Sequence, residues 1–163
     1  MSERLSTRSG IGYDSHRFAP GGPLVLGGVR IPSDVHLHGH SDGDAIAHAV
    51  TDAVLGAAAL GDIGAMFSDA DSANAGRDSI EMLGLAVEHV RSAGWSVAQV
   101  DVVVIAETPR IGPHRGAMCA RIAGAAGVSV ADVSIKGKSN EGMGFVGRGE
   151  GIACLATATL VRA

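Results

Sequence analysis

Asp14 and His16 stand two residues apart in the run GYDSHRF at 12–18, and His48 lies in the longer run HSDGDAIAHAVTDAVLGAAALGDIG at 40–64. In an extended strand, residues two apart point to the same side, so Asp14 and His16 would present an oxygen and a nitrogen together. Taken alone, Asp-x-His is by default a turn capped by its aspartate. His48 decides between the two readings. If the fold brings it opposite the pair, the set becomes Asp/His/His, three ligands suited to zinc with a fourth position left for substrate. Asp44 and Asp52 each lie one helical turn from His48, where a carboxylate can orient an imidazole whose other nitrogen holds the metal. For a lone helical histidine the alternative is a solvated polar face.

Apolar spacing supplies the elements that must position these residues. Gly10 to Tyr13 reads as a short strand leading into the polar triplet Asp14, Ser15, His16, and LVLGGVRIP at 24–32 reads as a hairpin turning at Gly27-Gly28 and ended by Pro32. His36 and His38 fall in the next loop, exposed or supporting a site residue from behind. Ser41 or Asp42 caps a helix that runs to about Leu60, buries Ile46, Val50, Val54 and Ala57, and turns Asp44, His48 and Asp52 toward a site. At its entrance, beside His40 and Ser41, free N–H groups favour an anion such as a phosphate. The irregular segment that follows carries Asp62, Asp69 and Asp71. Asp62 and Asp69 can accept hydrogen bonds from the hydroxyls of a polyol, and an exposed acidic loop explains them equally well.

A second helix starts at Asp78 or Ser79, with Glu81 as capping-box partner, buries Ile80, Leu83, Val87 and Val90, leaves His89 on the surface and stops at Gly94. Val100 to Ala106 is a strand apolar enough for burial on both faces. After the turn ETPRIGPH, Pro113 opens a third helix carrying Met118, Ile122 and Ala125. Val133 to Lys138 is a strand, the glycine-rich turn KSNEGMGFVGRGEG delivers Ser139, Glu141, Phe145 and Arg148, and Ile152 to Val161 closes the chain as a strand. This order predicts an α+β fold, one mixed β-sheet with helices packed on one face.

Length points to a single domain over residues 1–163, with residues 1–9 as a flexible tail. Hydrophobic residues make up 46% of the chain and aromatic ones only 3%, so the core must be filled by small side chains, and such chains gain burial by self-association. A net charge of −4 without a Lys/Arg cluster argues against a nucleic-acid surface or a basic membrane patch. Cys119 and Cys154 lack metal-ligand spacing and read as buried small hydrophobes of a reducing compartment. The first residues carry no apolar segment and no later run approaches membrane-spanning length, which places the expectation in the cytoplasm.

The runs at 12–18 and 40–64, with GFVGRGEG at 144–151, make the chain resemble the 2-C-methyl-D-erythritol 2,4-cyclodiphosphate synthase family over nearly its whole length. The resemblance implies a zinc- and magnesium-dependent phosphorus-oxygen lyase of the non-mevalonate isoprenoid pathway. It implies a homotrimer with active sites at the subunit interfaces. The implied reaction closes a ring: the 2-phosphate of 4-diphosphocytidyl-2-C-methyl-D-erythritol 2-phosphate attacks the β-phosphorus, and CMP leaves. Residue by residue, Asp14, His16 and His48 would hold zinc and Glu141 magnesium, while His40 and Ser139 would stabilise the transition state. His40-Ser41, with Asp14, Ser15 and His16, would contact substrate at the zinc end. Asp62, Ile63 and Gly64, and Phe67, Ser68, Asp69, Ala70 and Asp71, would surround the methylerythritol hydroxyls. The turn Ala106, Glu107, Thr108, Pro109, Arg110, Ile111, Gly112 would hold cytosine, and Lys138, Ser139, Asn140 and Glu141 the phosphates.

The chain departs from the family pattern at three positions. Lys138 replaces a frequent threonine and brings a charge near the diphosphate, and Ser139 replaces a threonine while keeping its hydroxyl. Phe145 and Arg148 match positions lining a cavity along the trimer axis, where some members bind isoprenoid diphosphates. Leu155 stands where a glutamate often pairs with that arginine. Two other classes of function compete with the lyase. A trimeric diphosphate-binding module with structural zinc would need a closed set of four protein ligands, and only three are found. A zinc phosphohydrolase would release inorganic phosphate.

Overall fold

The long strand β1 (Thr7–Pro20) is the frame of the sheet, and it carries Asp14 and His16 inside it rather than beyond its end as expected. The computed structural model describes residues 6–163. Of the expected tail, residues 1–5 lie outside the described residues, while Thr7, Arg8 and Ser9 pair with Val161, Leu160 and Thr159 of the last strand. After β1 come β2 (Leu24–Leu26) and β3 (Val29–Ile31), the expected hairpin, then β4 (Val35–Leu37) and helix α1 (Ala45–Ala58). The one-turn helix α2 (Ile63–Met66) leads to α3 (Ser79–Ser92), and β5 (Trp95–Ile105), α4 (Arg115–Ala126) and β6 (Val133–Lys138) follow. A second one-turn helix, α5 (Gly144–Gly147), lies in the glycine-rich segment before β7 (Gly151–Arg162).

Five strands form one sheet in the order β4-β1-β7-β5-β6, with β5 and β6 parallel and the other pairs antiparallel. Helix α1 packs across β1 and β7, α3 reaches β5 and α4 reaches β6. This is the mixed sheet with helices on one side that the sequence predicts. The core between the layers holds Ile46, Val50, Val54, Val102, Val104, Met118, Ile122, Ile152 and Ala156, all fully buried.

How closely α1 approaches β1 decides where His48 comes to lie. Gly10 and Gly12 face the helix, and a Cβ added at Gly12 would stand 1.8 Å from the Ala49 carbonyl oxygen, one at Gly10 2.1 Å from that of Ala53. Only glycine lets backbone meet backbone at this spacing. Because strand side chains alternate, Asp14 and His16 continue the same face as Gly10 and Gly12. The helix runs against the strand over Gly10 and Gly12, so its first turns overlie Asp14 and His16.

The sequence predicts Ser41 or Asp42 as the helix cap, but Asp44 takes that place, accepting from Ala47 N. Ser41 and Asp42 have other partners, and the Asp44 carboxylate, fully buried, also accepts from Gly27 N at 2.8 Å and Gly28 N at 2.6 Å. The hairpin turn is thereby bolted to the start of α1. The start of α1 thus already carries a side-chain carboxylate, that of Asp44. Strand β5 also differs from expectation: Val100, Val102 and Val104 are buried, while Asp101, Val103 and Ile105 are only half-buried on the opposite face. That second face is open, and Ile11, Tyr13 and Leu155 are exposed on it.

Candidate active site

Asp14, His16 and His48 come together, each offering a ligand atom, and these atoms all lie within 4.8 Å of one another. His16 Nε2 is 2.7 Å and His48 Nδ1 3.1 Å from the same Asp14 Oδ2, and the two ring nitrogens are 3.1 Å apart. The other nitrogen of each ring is engaged from behind: His16 Nδ1 with the His38 carbonyl at 2.7 Å, His48 Nε2 with the Ser41 and Ser79 hydroxyls at 2.8 Å each. A carbonyl only accepts, so His16 carries a proton on Nδ1, and in the neutral ring it is the lone pair of Nε2 that faces inward. One carboxylate oxygen and two imidazole nitrogens converging in this way need a cation between them, a proton or a metal, and the donor set fits zinc.

The electrostatics express the same need. Burial alone would raise the Asp14 carboxyl, yet the hydrogen bonds and charge of His16 and His48 hold it below its ordinary value. Burial alone would lower the His16 imidazole, and the Asp14 hydrogen bond and charge leave it raised instead. Neither Asp44 nor Asp52 orients His48, contrary to expectation. Asp44 serves the hairpin, and Asp52 accepts from Ile63 N at 2.7 Å, fixing the start of α2 against α1. Burial, with the nearby charges of Asp62 and Asp14, pushes the Asp52 carboxyl up.

The cluster forms one wall of a pocket of about 210 Å³. His40, Ser41, Ile63, Gly64, Phe67 and Asp69 line it, as expected from the sequence, and so does Asp52, from the helix face expected to point at a site; Asn74 and Met82 join them without a sequence signal for that role. Asp62 is turned to capping α2 through Ala65 N, and Asp71 caps a single 3-10 turn at Ser72–Asn74. Ser68 and Ala70 are exposed beside them. Asn74 is 6% exposed and donates to the Ser68 carbonyl, so it holds this loop in place. Nothing in local sequence distinguishes Asn74 or Met82 from ordinary loop and helix residues; the packing of α3 against α1 brings Met82 here, and the fold of the loop before α3 brings Asn74.

The remaining predicted residues gather elsewhere. At the C-terminal ends of the parallel strands β5 and β6 is a groove of about 690 Å³ lined by Ala106, Glu107, Pro109, Arg110, Ile111 and Gly112 from one side and Lys138 and Ser139 from the other. The carboxyl ends of parallel strands are the usual place for a ligand in such sheets. Glu107 accepts from Asn140 N at 2.9 Å, ordering the loop that follows β6. Glu141 is exposed with φ of 53°, a left-handed conformation that few non-glycine residues adopt, and its carboxylate lies 3.4 Å from the Ser139 hydroxyl. The groove shares no lining residue with the pocket at Asp14, His16 and His48. Ser15 and Phe145 line a third depression with Arg17 and Glu150, and Arg148 pairs with Glu150 at 2.7 Å, where Leu155 supplies no carboxylate.

The model of the YgbB family matches residues 7–161. The 2-C-methyl-D-erythritol 2,4-cyclodiphosphate synthase of Gemmatimonas aurantiaca is 60% identical over 96% of this chain and 95% of its own length. That of Bordetella petrii is 54% identical over 96% of each. Among solved structures, the IspF of Plasmodium falciparum in complex with CDP superposes with a TM-score of 0.84 at 32% identity, covering 96% of this chain and 97% of that one. The bifunctional IspDF of Campylobacter jejuni superposes with a TM-score of 0.94 at 37% identity, and this chain spans 43% of that longer protein. With the motifs, the sheet and the converging ligands agreeing, the chain belongs to the YgbB family, that of the 2-C-methyl-D-erythritol 2,4-cyclodiphosphate synthases.

Proposed function

We propose that the protein converts 4-diphosphocytidyl-2-C-methyl-D-erythritol 2-phosphate to 2-C-methyl-D-erythritol 2,4-cyclodiphosphate and CMP. The observation that carries this reading is the convergence of Asp14, His16 and His48 on one point in the wall of a pocket, in a chain 60% identical to a synthase of that name. One bond forms, from a 2-phosphate oxygen to the β-phosphorus, and one breaks, from the β-phosphorus to the oxygen shared with the α-phosphate, whose electron pair leaves with CMP. The nucleophile is already an anion, so no general base is required.

Zinc on Asp14, His16 and His48 and magnesium on Glu141 would, when bound, neutralise the diphosphate charge and polarise its phosphorus–oxygen bonds. The chain's own groups do the positioning. Holding the 2-phosphate against the β-phosphorus contributes an effective molarity that in well-oriented systems reaches ~10⁵ M or more. His40 at the pocket wall and the Ser139 hydroxyl donate to phosphate oxygens as charge builds there. Asp62 to Gly64 and Phe67 to Asp71 enclose the methylerythritol hydroxyls, the backbone of Ala106 to Gly112 receives cytosine, and Lys138 adds a cation beside the diphosphate. We read the working unit as a homotrimer in which the groove of one subunit completes the pocket of the next. This is supported by the separate linings of the two cavities and by the open apolar sheet face. No helix among the described residues is long and apolar enough to cross a membrane, and with a charged nucleotide substrate the reading is of a cytoplasmic enzyme.

Product analysis with the CDP-linked substrate, zinc and magnesium tests the proposal. Cyclodiphosphate and CMP in equal amounts are expected. Release of inorganic phosphate would make the protein a phosphohydrolase, and bound but unchanged substrate would make it a binding module.

A further inference from the structure

Asp42 and Ser79 come from separate segments and meet behind His48. Ser79 is the first residue of α3 and fully buried, and its hydroxyl lies 2.8 Å from His48 Nε2. Its backbone N–H donates to Asp42 Oδ2 at 3.1 Å and its hydroxyl donates to Asp42 Oδ1. Asp42 Oδ1 also accepts from Asp44 N at 3.1 Å, so each carboxylate oxygen faces a backbone donor that cannot turn away. A carboxylate in that setting only accepts. The single proton of the Ser79 hydroxyl is therefore committed to Asp42, and Ser79 Oγ can offer His48 nothing but a lone pair. His48 must then carry a proton on Nε2, so that in the neutral ring it is Nδ1 that is bare on the side of Asp14 and His16. The Ser41 hydroxyl, 2.8 Å from Nε2 and 3.3 Å from Ser79 Oγ, can turn its proton to Ser79 and accept from Nε2, so it does not oppose this tautomer.

We infer that Asp42 and Ser79 are positioning residues that lock the tautomer of His48, so that its Nδ1 is held ready for the metal before the metal arrives. The inference rests on reading Asp14, His16 and His48 as a metal site. It goes beyond that reading by assigning a role at His48 to two residues that the sequence marks only as helix-start candidates. It also accounts for aspartate at position 42: an asparagine would set its amide nitrogen against either Ser79 N–H or Asp44 N–H, and in the latter orientation would donate to Ser79 Oγ and free the hydroxyl proton to turn toward His48.

The test uses the full-length protein, the variants Ser79→Ala and Asp42→Asn, and zinc alone as probe. Ser79→Ala keeps a hydrogen-bond partner for Nε2 in Ser41 and removes only the lock, while Asp42→Asn keeps the Ser79 hydroxyl and disturbs its direction. Zinc affinity measured by chelator competition is expected to fall about 10- to 100-fold in each, the range seen when groups behind a metal-binding histidine are removed. Nitrogen-15 NMR of the metal-free wild type is expected to show His48 protonated at Nε2, and each variant to show a mixture of tautomers. Undiminished zinc affinity in both variants would overturn the inference even if their thermal stability fell, because the residues would then serve packing alone. A metal-free wild type with His48 protonated at Nδ1 would overturn it directly. The NMR result does not depend on zinc, so a wild type that shows the Nε2 tautomer and binds no zinc would count against the metal site and not against the lock.

Discussion

At the scale of single residues, the same amino acid does different work according to what faces it. His48 and Asp44 share a helix end, but His48 turns Nδ1 toward Asp14 at 3.1 Å, whereas Asp44 is sealed in the core on backbone N–H groups. Removing the imidazole leaves two protein ligands, too few for a stable zinc site. His48→Ala is expected to lose its zinc, with activity following, and elemental analysis of the purified variant checks this; full zinc occupancy would show the assignment to be wrong. Asp44 predicts a loss of stability instead. Its carboxylate accepts from Gly27 N, Gly28 N and Ala47 N, and an amide of the same shape must set its nitrogen against at least one of these donors. A buried donor left without a partner costs about 1–3 kcal/mol. Asp44→Asn should lower the unfolding free energy by that amount, read as a lower urea midpoint with an unchanged slope. An unaltered midpoint would mean that the hairpin turn does not depend on the carboxylate.

At the scale of elements, apolar periodicity made most of the fold legible, and the misses share a cause. Helix α3, strand β6 and the hairpin at Gly27-Gly28 lie where spacing and turn residues place them, because local propensity and burial agree there. The start of α1 was misplaced because Ser41 and Asp42, good caps on local grounds, are drawn off by His48 and Ser79 across the fold. The candidate metal ligands Asp14, His16 and His48 are legible because strand alternation and the helical histidine each leave a local trace. Met82 leaves none, since its place depends on how α3 packs on α1, and Ser79 is legible only as a helix start and not as a neighbour of His48. The contact of α1 with β1 yields a paired prediction. A methyl at Gly12 meets the Ala49 backbone, which cannot yield as a flexible side chain would, so α1 must move away from Asp14 and His16. Overpacking of this kind costs about 1–3 kcal/mol or more. Gly12→Ala should therefore lose stability and zinc occupancy together. Gly56→Ala, on the exposed side of the same helix with nothing within 4 Å, should be neutral or gain up to about 1 kcal/mol from helix propensity. Urea unfolding and zinc analysis of both variants decide it, and a Gly12→Ala protein with wild-type zinc content would show that close approach is not what sets the site.

At the scale of the whole molecule, one chain leaves two things unfinished. Ile11 is 70% exposed, Tyr13 53% and Leu155 38%, and Tyr13 and Val103 pair with Leu155 from either side, so an apolar strip crosses three strands without a cover. Exposed strips of this kind mark surfaces that associate. The cavity at Asp14, His16 and His48 and the groove at Lys138 and Ser139 are likewise separate within the chain. A cyclic trimer with head-to-tail interfaces would resolve both, burying the strip and joining each pocket to a neighbour's groove. Mixing subunits separates this arrangement from one in which each chain holds a complete site. A His48→Ala chain lacks a working pocket and a Glu141→Ala chain lacks a working groove, so neither parent trimer contains an intact site. In trimers assembled at random from equal amounts of both, each half of a shared site has an even chance of being intact, and about a quarter of the sites should be whole. Co-expressed mixed trimers, verified by mass, should then regain about a quarter of wild-type activity if the sites act independently. If both halves belonged to one chain, every site in the mixture would keep a lesion. Mixed trimers as inactive as their parents would refute the shared site, and with it the assignment of Ser139 and Glu141 to the neighbouring subunit's pocket.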